Sequence, residues 1–202
     1  MTIQRRYQAV SERRIRASLF RILAANELCS IATVARGSRA HINTAFFAYS
    51  TNLEVYFLSD PESLHCRNLL GNPSMAMTIF RSSQGWDEPG QGVQLFGTGR
   101  RAVGRQDDLA RKVYGTRFPA FKKWLKSRTP RGRRQALRLR SYAFFRFLPG
   151  RVKIPDESEF GGALFVVAKI KRALAPERSR HAGLRRQKTE ILVPEKSRRR
   201  KG

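Results

Sequence analysis

Short segments with β-strand character follow one another along this chain, and few of them are separated by a helix. Six segments are rich in β-branched and aromatic residues at strand-like spacing: residues 28–34, 41–49, 53–59, 74–80, 92–99 and 142–148. Two more segments, 151–154 and 163–167, can complete the sheet. Because strands that arrive in runs favour antiparallel pairing, the sequence predicts a mainly β fold, a closed barrel of six or so antiparallel strands.

Helical patterns interrupt these strands at a few places. A helix is predicted over residues 11–26, because Ser11 can cap its start and apolar residues then recur at helical spacing. A short helix is predicted over residues 60–70, because an acidic residue and a proline are favourable in a first turn. Residues 106–118 and 119–126 also have helical patterns. We expect these few helices at the periphery of the barrel.

The C-terminal part of the chain has a different composition. From Lys169 onward lysine and arginine dominate, and aromatic residues are absent. Such a segment buries too little apolar area to offset the entropy lost on ordering. Because 202 residues are near the size of one domain, we predict a barrel domain over residues 1–168 and a basic disordered tail over residues 169–202.

The net charge is extreme for a chain of this size. The sequence contains 41 Lys and Arg residues against 15 Asp and Glu residues, a formal net charge of +26. A field of this sign attracts nucleic acid and other polyanions. A nucleic-acid-associated protein, with contacts through residues 128–140 and the basic tail, is therefore an alternative function.

Several classes of enzyme are not indicated by the sequence. It contains no P-loop, HExxH or GxGxxG motif and no Ser/His/Asp order. Cys29 and Cys66 lack the spacing of a metal site, so no metal is expected. No signal sequence and no apolar stretch of about 18 residues is present, which predicts a cytoplasmic protein without a membrane span. If the protein is an enzyme, a bound cofactor is expected to supply the chemistry.

Two motifs lie at the ends of predicted strands. A strand that ends in Leu58-Ser59 is followed by a turn, the triplet Ser63-Leu64-His65, an Asn-Leu pair and Asn72-Pro73. Residues 92–97 have the sequence Gly-Val-Gln-Leu-Phe-Gly. Together these motifs resemble the flavin-binding split-barrel family related to pyridoxamine 5′-phosphate oxidase, and the resemblance extends over residues 11–168.

The resemblance implies a split β-barrel that binds flavin mononucleotide (FMN), exchanges hydride with an unidentified small substrate and forms a homodimer with the flavin at its interface. The FMN phosphate would be held by Ser63, His65 and Arg67 at the start of the short helix. A helix N-terminus favours an anion on physical grounds as well. The family commonly has Arg and Lys where this chain has Leu64 and His65, so Arg67 would have to supply the charge.

The resemblance also assigns residues around the flavin ring and its ribityl chain, with Gln94 reaching the ring. These residues are Asn43, Thr44, Ala45, Phe46, Leu58, Ser59 and Gln94. It assigns no catalytic residue. The hydrophobic Ile42 and Phe47 argue against pyridoxamine phosphate as the substrate.

Ordinary structural roles are also open to these residues. Gln94 can be a polar residue on the open face of a strand, and His65 can be a histidine on a helix surface. We therefore keep two alternatives to an FMN-dependent oxidoreductase. One is a non-catalytic binding or sensor protein for flavin, deazaflavin or haem, and the other is the nucleic-acid-associated protein.

Overall fold

The computed structural model describes residues 2–6, 10–172 and 183–193. Its strands are β1 (Thr2–Arg6), β2 (Leu28–Ala35), β3 (Arg39–Tyr49), β4 (Val55–Ser59), β5 (Ser74–Phe80), β6 (Gly92–Arg101), β7 (Ala143–Pro155), β8 (Leu164–Lys171) and β9 (Gly183–Val193). Its helices are α1 (Glu12–Ala25), α2 (Leu64–Gly71), α3 (Arg105–Arg117), α4 (Pro119–Leu125), α5 (Pro130–Ser141) and α6 (Glu157–Phe160).

Six of the strands close into an antiparallel barrel. Their order is β7-β4-β3-β2-β5-β6, and a further pairing of β6 with β7 completes the ring. The long strand β7 pairs with β6 along one edge. Along its other edge, its first half pairs with β4 and its second half pairs with β8. The sheet then continues outward through β9 to β1. This architecture confirms the predicted mainly β split barrel with peripheral helices.

Apolar side chains from alternate strand positions fill the barrel. Phe47, Phe57 and Phe145 are among its buried residues, and the rings of Phe57 and Phe145 stack with centroids 5.4 Å apart. The buried face of α1 joins the same core, as its apolar spacing predicts. A second, smaller core lies where Tyr56 and Phe144 on the outside of β4 and β7 meet α3 and α4.

The helix predicted over residues 60–70 begins later than expected. The structure places its first residue at Leu64, and residues 60–63 form a turn. The Asp60 carboxylate accepts a hydrogen bond from the backbone N–H of Glu62 over 3.0 Å. Such a local side-chain bond stabilises a turn in competition with the helix, which explains the difference.

The two predicted strands around Pro149 and Gly150 form one strand. Pro149 lacks an N–H group, and it is tolerated in β7 because the pairing with β6 changes register between Phe96 and Gly97. The basic stretch 128–140, whose charge pattern alone predicts no element, mostly belongs to α5.

The structure also corrects part of the predicted disordered tail. The boundary at residue 168 falls inside β8, which runs to Lys171, and residues 183–193 form β9. Strand β9 pairs with β8 and β1, and Leu184 is buried. Backbone pairing with β8 and with the distant strand β1 stabilises this segment. A prediction from composition does not include the free energy of strand pairing. With the exception of residue 172, the other residues of the predicted tail lie outside the described residues.

Two features are absent from the described part of the chain. None of its helices has the length and apolar character needed to cross a membrane. Within residues 2–6, 10–172 and 183–193, no three His, Cys, Asp or Glu side chains are grouped as a metal site would require.

Candidate functional site

A tight turn joins the end of β4 to the start of α2. Ser59 ends β4, and α2 begins at Leu64 with Ser63 at its N-cap position. The Ser63 hydroxyl donates to the backbone carbonyl of Asp60 over 2.6 Å and does not cap the helix. The first N–H groups of α2 are therefore left without a side-chain cap.

The side chain of His65 belongs to a polar cluster at this turn. Its Nε2 atom lies 2.8 Å from the Oγ atom of Ser59 and 3.3 Å from the Oγ atom of Ser63. The Nδ2 atom of Asn43, on the adjacent strand β3, lies 3.5 Å from the same nitrogen. The structure thus brings four predicted site residues together. We call these four residues the His65 cluster.

Burial controls the charge of this cluster. His65 is 5% exposed. Burial, and to a smaller extent the nearby His41, hold the pKa of His65 below its ordinary value of 6.5. The ring is therefore neutral at pH 7, and because an amide nitrogen only donates, Nε2 accepts from Asn43. The cluster offers hydrogen bonds without a full positive charge.

Arg67 lies apart from the His65 cluster. Positions i and i+2 of a helix do not face each other, so Arg67 and His65 project from different sides of α2. Arg67 is exposed and borders an open groove of about 480 Å³ together with Arg36 and Ser38 of the turn between β2 and β3. The structure does not bring together the cation and the histidine that the resemblance assigned to one phosphate.

Gln94 and Thr44 lie on the outer face of the barrel. The strand registers align Thr44, Ser30, Thr78 and Gln94 in one row across β3, β2, β5 and β6. An open groove of about 270 Å³ runs beside this row, and Gln94 borders it. Because Asn43 faces the interior side of β3, Gln94 and the His65 cluster lie on opposite faces of the sheet.

The remaining predicted residues have packing contacts. Phe46 is half exposed on the outer face, and its ring lies 5.7 Å from that of Phe118. Ala45 packs against the barrel core, and its carbonyl accepts from the Cys29 thiol over 3.3 Å. Leu58 packs against the second core.

Sequence reasoning missed His41 as a neighbour of the site. The rings of His41 and His65 stack with centroids 6.3 Å apart and planes 6° apart. The sequence contained one signal for His41. It is two residues from Asn43 on one strand, so the two side chains share a face. Their proximity to α2 could not be read from that alternation.

The comparisons with known proteins agree with this fold. Residues 15–146 match the family model described as pyridoxamine 5′-phosphate oxidase. No curated protein matches the sequence.

Three solved structures illustrate the likeness in fold. A haem-binding protein from Mycobacterium smegmatis is 15% identical with a TM-score of 0.59, and the match covers 80% of this chain and 59% of that chain. A putative pyridoxamine 5′-phosphate oxidase from Listeria innocua is 16% identical with a TM-score of 0.51, covering 69% and 97%. The haem storage protein HutZ from Vibrio cholerae is 17% identical with a TM-score of 0.51, covering 66% and 88%. With the family match over most of the barrel, these findings show that the chain belongs to the pyridoxamine 5′-phosphate oxidase family.

Proposed function

We propose that this protein binds FMN and exchanges hydride between the flavin and a small substrate. The observation that carries the proposal is the His65 cluster, in which two hydroxyls, an amide and an imidazole converge beside the start of α2. FMN would supply the redox chemistry when bound. The residues of this chain would hold and orient it.

The His65 cluster fits a phosphate group. The first N–H groups of a helix have no partners within the helix, and they attract anions. The hydroxyls of Ser59 and Ser63 can rotate to donate to phosphate oxygens. A phosphate beside His65 would favour the protonated ring and raise its pKa. FMN binding is therefore expected to take up a proton.

The groove beside Gln94, as the described residues form it, is small for a flavin ring. The groove beside Gln94 holds about 270 Å³, which is below the roughly 300–1,000 Å³ usual for ligand pockets. It also opens on the face of the sheet opposite to His65. A second copy of the chain on this outer face would close the groove and could carry its own Gln94 to the flavin. A homodimer is therefore part of the proposal.

Haem is the alternative cofactor. Two of the structural neighbours are described as a haem-binding protein and a haem storage protein, and the same barrel can serve binding alone. The visible spectrum of the purified protein separates the candidates, because flavin, deazaflavin and haem have distinct absorption bands. A Soret band without flavin bands would show that the bound cofactor is haem and not FMN.

The decisive experiment compares FMN with riboflavin, which has no phosphate. His65→Ala should weaken FMN binding at least about tenfold, because a hydrogen bond to a charged group contributes roughly 1.5–3 kcal/mol. It should leave riboflavin binding nearly unchanged. Between pH 8 and pH 6.5, FMN affinity of the wild type should rise as the pH falls, because binding takes up a proton at His65. Fluorescence titration measures all of these affinities.

Two further variants serve as comparisons in the same titration. Arg67→Ala should weaken FMN binding less than His65→Ala, because Arg67 borders a different groove. Gln94→Ala should change the flavin spectrum or reduction potential more than the affinity. Equal FMN affinities of the wild type and His65→Ala would show that the phosphate does not bind at the His65 cluster. Turnover of bound flavin with a reductant and an acceptor distinguishes an oxidoreductase from a sensor.

A further inference from the structure

One segment of the chain contains many basic residues and no acidic residue. Residues 118–142, which contain α4 and α5, include nine Lys and Arg residues and no Asp or Glu. We call this segment the basic hairpin. None of the ion pairs between residues of the described ranges involves it. Its charge is therefore available to an external anion.

The basic hairpin is held in a defined shape. Thr129 caps α5 by accepting from the backbone N–H of Gly132 over 3.1 Å. Arg133 donates from Nη1 to the carbonyl of Arg128 over 2.7 Å, which fixes the loop between α4 and α5. The buried Phe121 on α4 anchors the hairpin in the second core. Its surface charges are thus presented by ordered helices.

A stripe of arginines follows the exposed side of α5. Arg131, Arg134 and Arg138 stand at positions i, i+3 and i+7, which lie on one helical face, and all three are exposed. The side chains of Arg131 and Arg134 form no hydrogen bond or ion pair with other described residues. Arg138 donates to the Tyr142 hydroxyl over 3.0 Å. We call these three residues the arginine stripe.

The chemistry of the stripe favours phosphate as its partner. The guanidinium group presents a planar set of donors that matches two phosphate oxygens at once. A membrane-binding helix would need a broad exposed apolar face, but Leu137 is the large apolar residue of α5 that is exposed, at 65%. The observations therefore favour a phosphate backbone over a lipid surface.

The basic hairpin has no exposed aromatic ring on which bases could stack, and this favours double-stranded over single-stranded nucleic acid. Single strands are held by exposed aromatic rings on which bases stack. On the basic hairpin, which lies wholly within the described residues, Phe121 is buried and Phe118, Trp124 and Tyr142 are half buried. We propose that the arginine stripe binds the phosphate backbone of double-stranded nucleic acid without reading its sequence. This surface is independent of the proposed flavin function.

The salt dependence of duplex binding measures the number of phosphate contacts. The full chain would be titrated with a fluorescent duplex of arbitrary sequence at several salt concentrations. For each phosphate contact, the logarithm of the binding constant falls with a slope of about −0.9 against the logarithm of salt concentration. Replacing Arg131, Arg134 and Arg138 together by Gln should reduce the magnitude of the slope by about 2–3 and weaken binding at 0.1 M salt at least about tenfold.

A matched variant controls for net charge. Arg13, Arg39 and Arg100 are exposed arginines on other elements, and replacing all three by Gln removes the same charge. This variant should change the slope by less than about one. Replacement of the arginine stripe by Lys should retain most of the slope, since it retains the charge. Circular dichroism and thermal unfolding establish that each variant is folded.

Two results would overturn the proposal. If the stripe variant and the matched variant lose affinity equally, duplex binding comes from diffuse net charge. If the wild type binds a single strand or vesicles with anionic lipid more tightly than the duplex at the same salt concentration, the partner class is wrong. A stripe-dependent slope with duplex preferred over both supports the proposal.

Discussion

At the scale of single residues, Gly97 decides how closely β6 and β7 approach. A Cβ atom at this position would lie 2.1 Å from the carbonyl oxygen of Leu148 and 2.6 Å from the Cα atom of Pro149. Both are backbone atoms, which cannot move aside as a flexible side chain can. The same pairing closes the barrel, so the glycine is required by the close approach of two strands.

Gly97→Ala is therefore expected to lower the free energy of unfolding by about 1–3 kcal/mol, the usual cost of overpacking. Gly150→Ala is the matched control, because a Cβ atom there would meet nothing within 4 Å. Chemical denaturation measures both variants. Equal stability of the two variants would show that the strands can separate at Gly97 without cost.

At the scale of elements, Asp156 joins α1 to the end of β7. Its side chain is fully buried and accepts hydrogen bonds from the Ser18 hydroxyl over 2.5 Å and from Nη2 of Arg21 over 2.7 Å. It also accepts from the backbone N–H of Glu159 in α6 over 3.3 Å. One carboxylate thus ties two helices to the barrel, because a buried charge requires several partners.

Asp156→Ala should lower the free energy of unfolding by about 1.5–3 kcal/mol, the range for hydrogen bonds to a charged group. The control is Asp107→Ala, which removes an exposed pair with Arg111 on α3 and should cost less than about 1 kcal/mol. Thermal unfolding followed by circular dichroism compares them. A loss at Asp156 no greater than at Asp107 would contradict a structural role for this network.

At the scale of the whole molecule, the outer face of β2, β3 and β5 exposes large apolar side chains. They are Leu28 at 47%, Ile42 at 70%, Phe46 at 51% and Phe80 at 45% exposure. The registers place all four on the same face of the sheet. A grouped apolar surface of this kind is typical of an interface, and two-fold dimers are the commonest oligomers. This face also carries the open groove at Gln94.

We expect a homodimer whose interface includes Ile42 and Phe46. Replacing both by Lys should shift the protein to a monomer in sedimentation velocity at micromolar concentration, because charges would be buried without partners. Val103→Lys is the control, since Val103 is 65% exposed and lies outside these strands. A wild-type protein that sediments as a monomer with FMN present would refute the dimer. FMN affinity should fall with dissociation if the partner completes the ring site.

The sequence by itself determined the elements that have a clear hydrophobic period. The helix at residues 11–26 and the strand pattern at residues 28–34 matched α1 and β2, because a periodic pattern reports which face of an element is buried. The motif around Ser63 and His65 likewise pointed to the family that the comparisons show. The resemblance assigned His65 to the phosphate and Ser59 and Asn43 to the rest of the flavin, and the structure groups the three side chains in one cluster.

Only the tertiary structure decided how distant elements meet. Periodicity carries no distances between elements, so it could not place Arg67 beside Arg36 or Gln94 on the face of the sheet opposite to His65. Composition likewise predicted disorder at residues 183–193, whereas their backbone groups pair with β8 and β1. Strand pairing depends on partners far away in the chain, and its free energy exists only after the chain has folded.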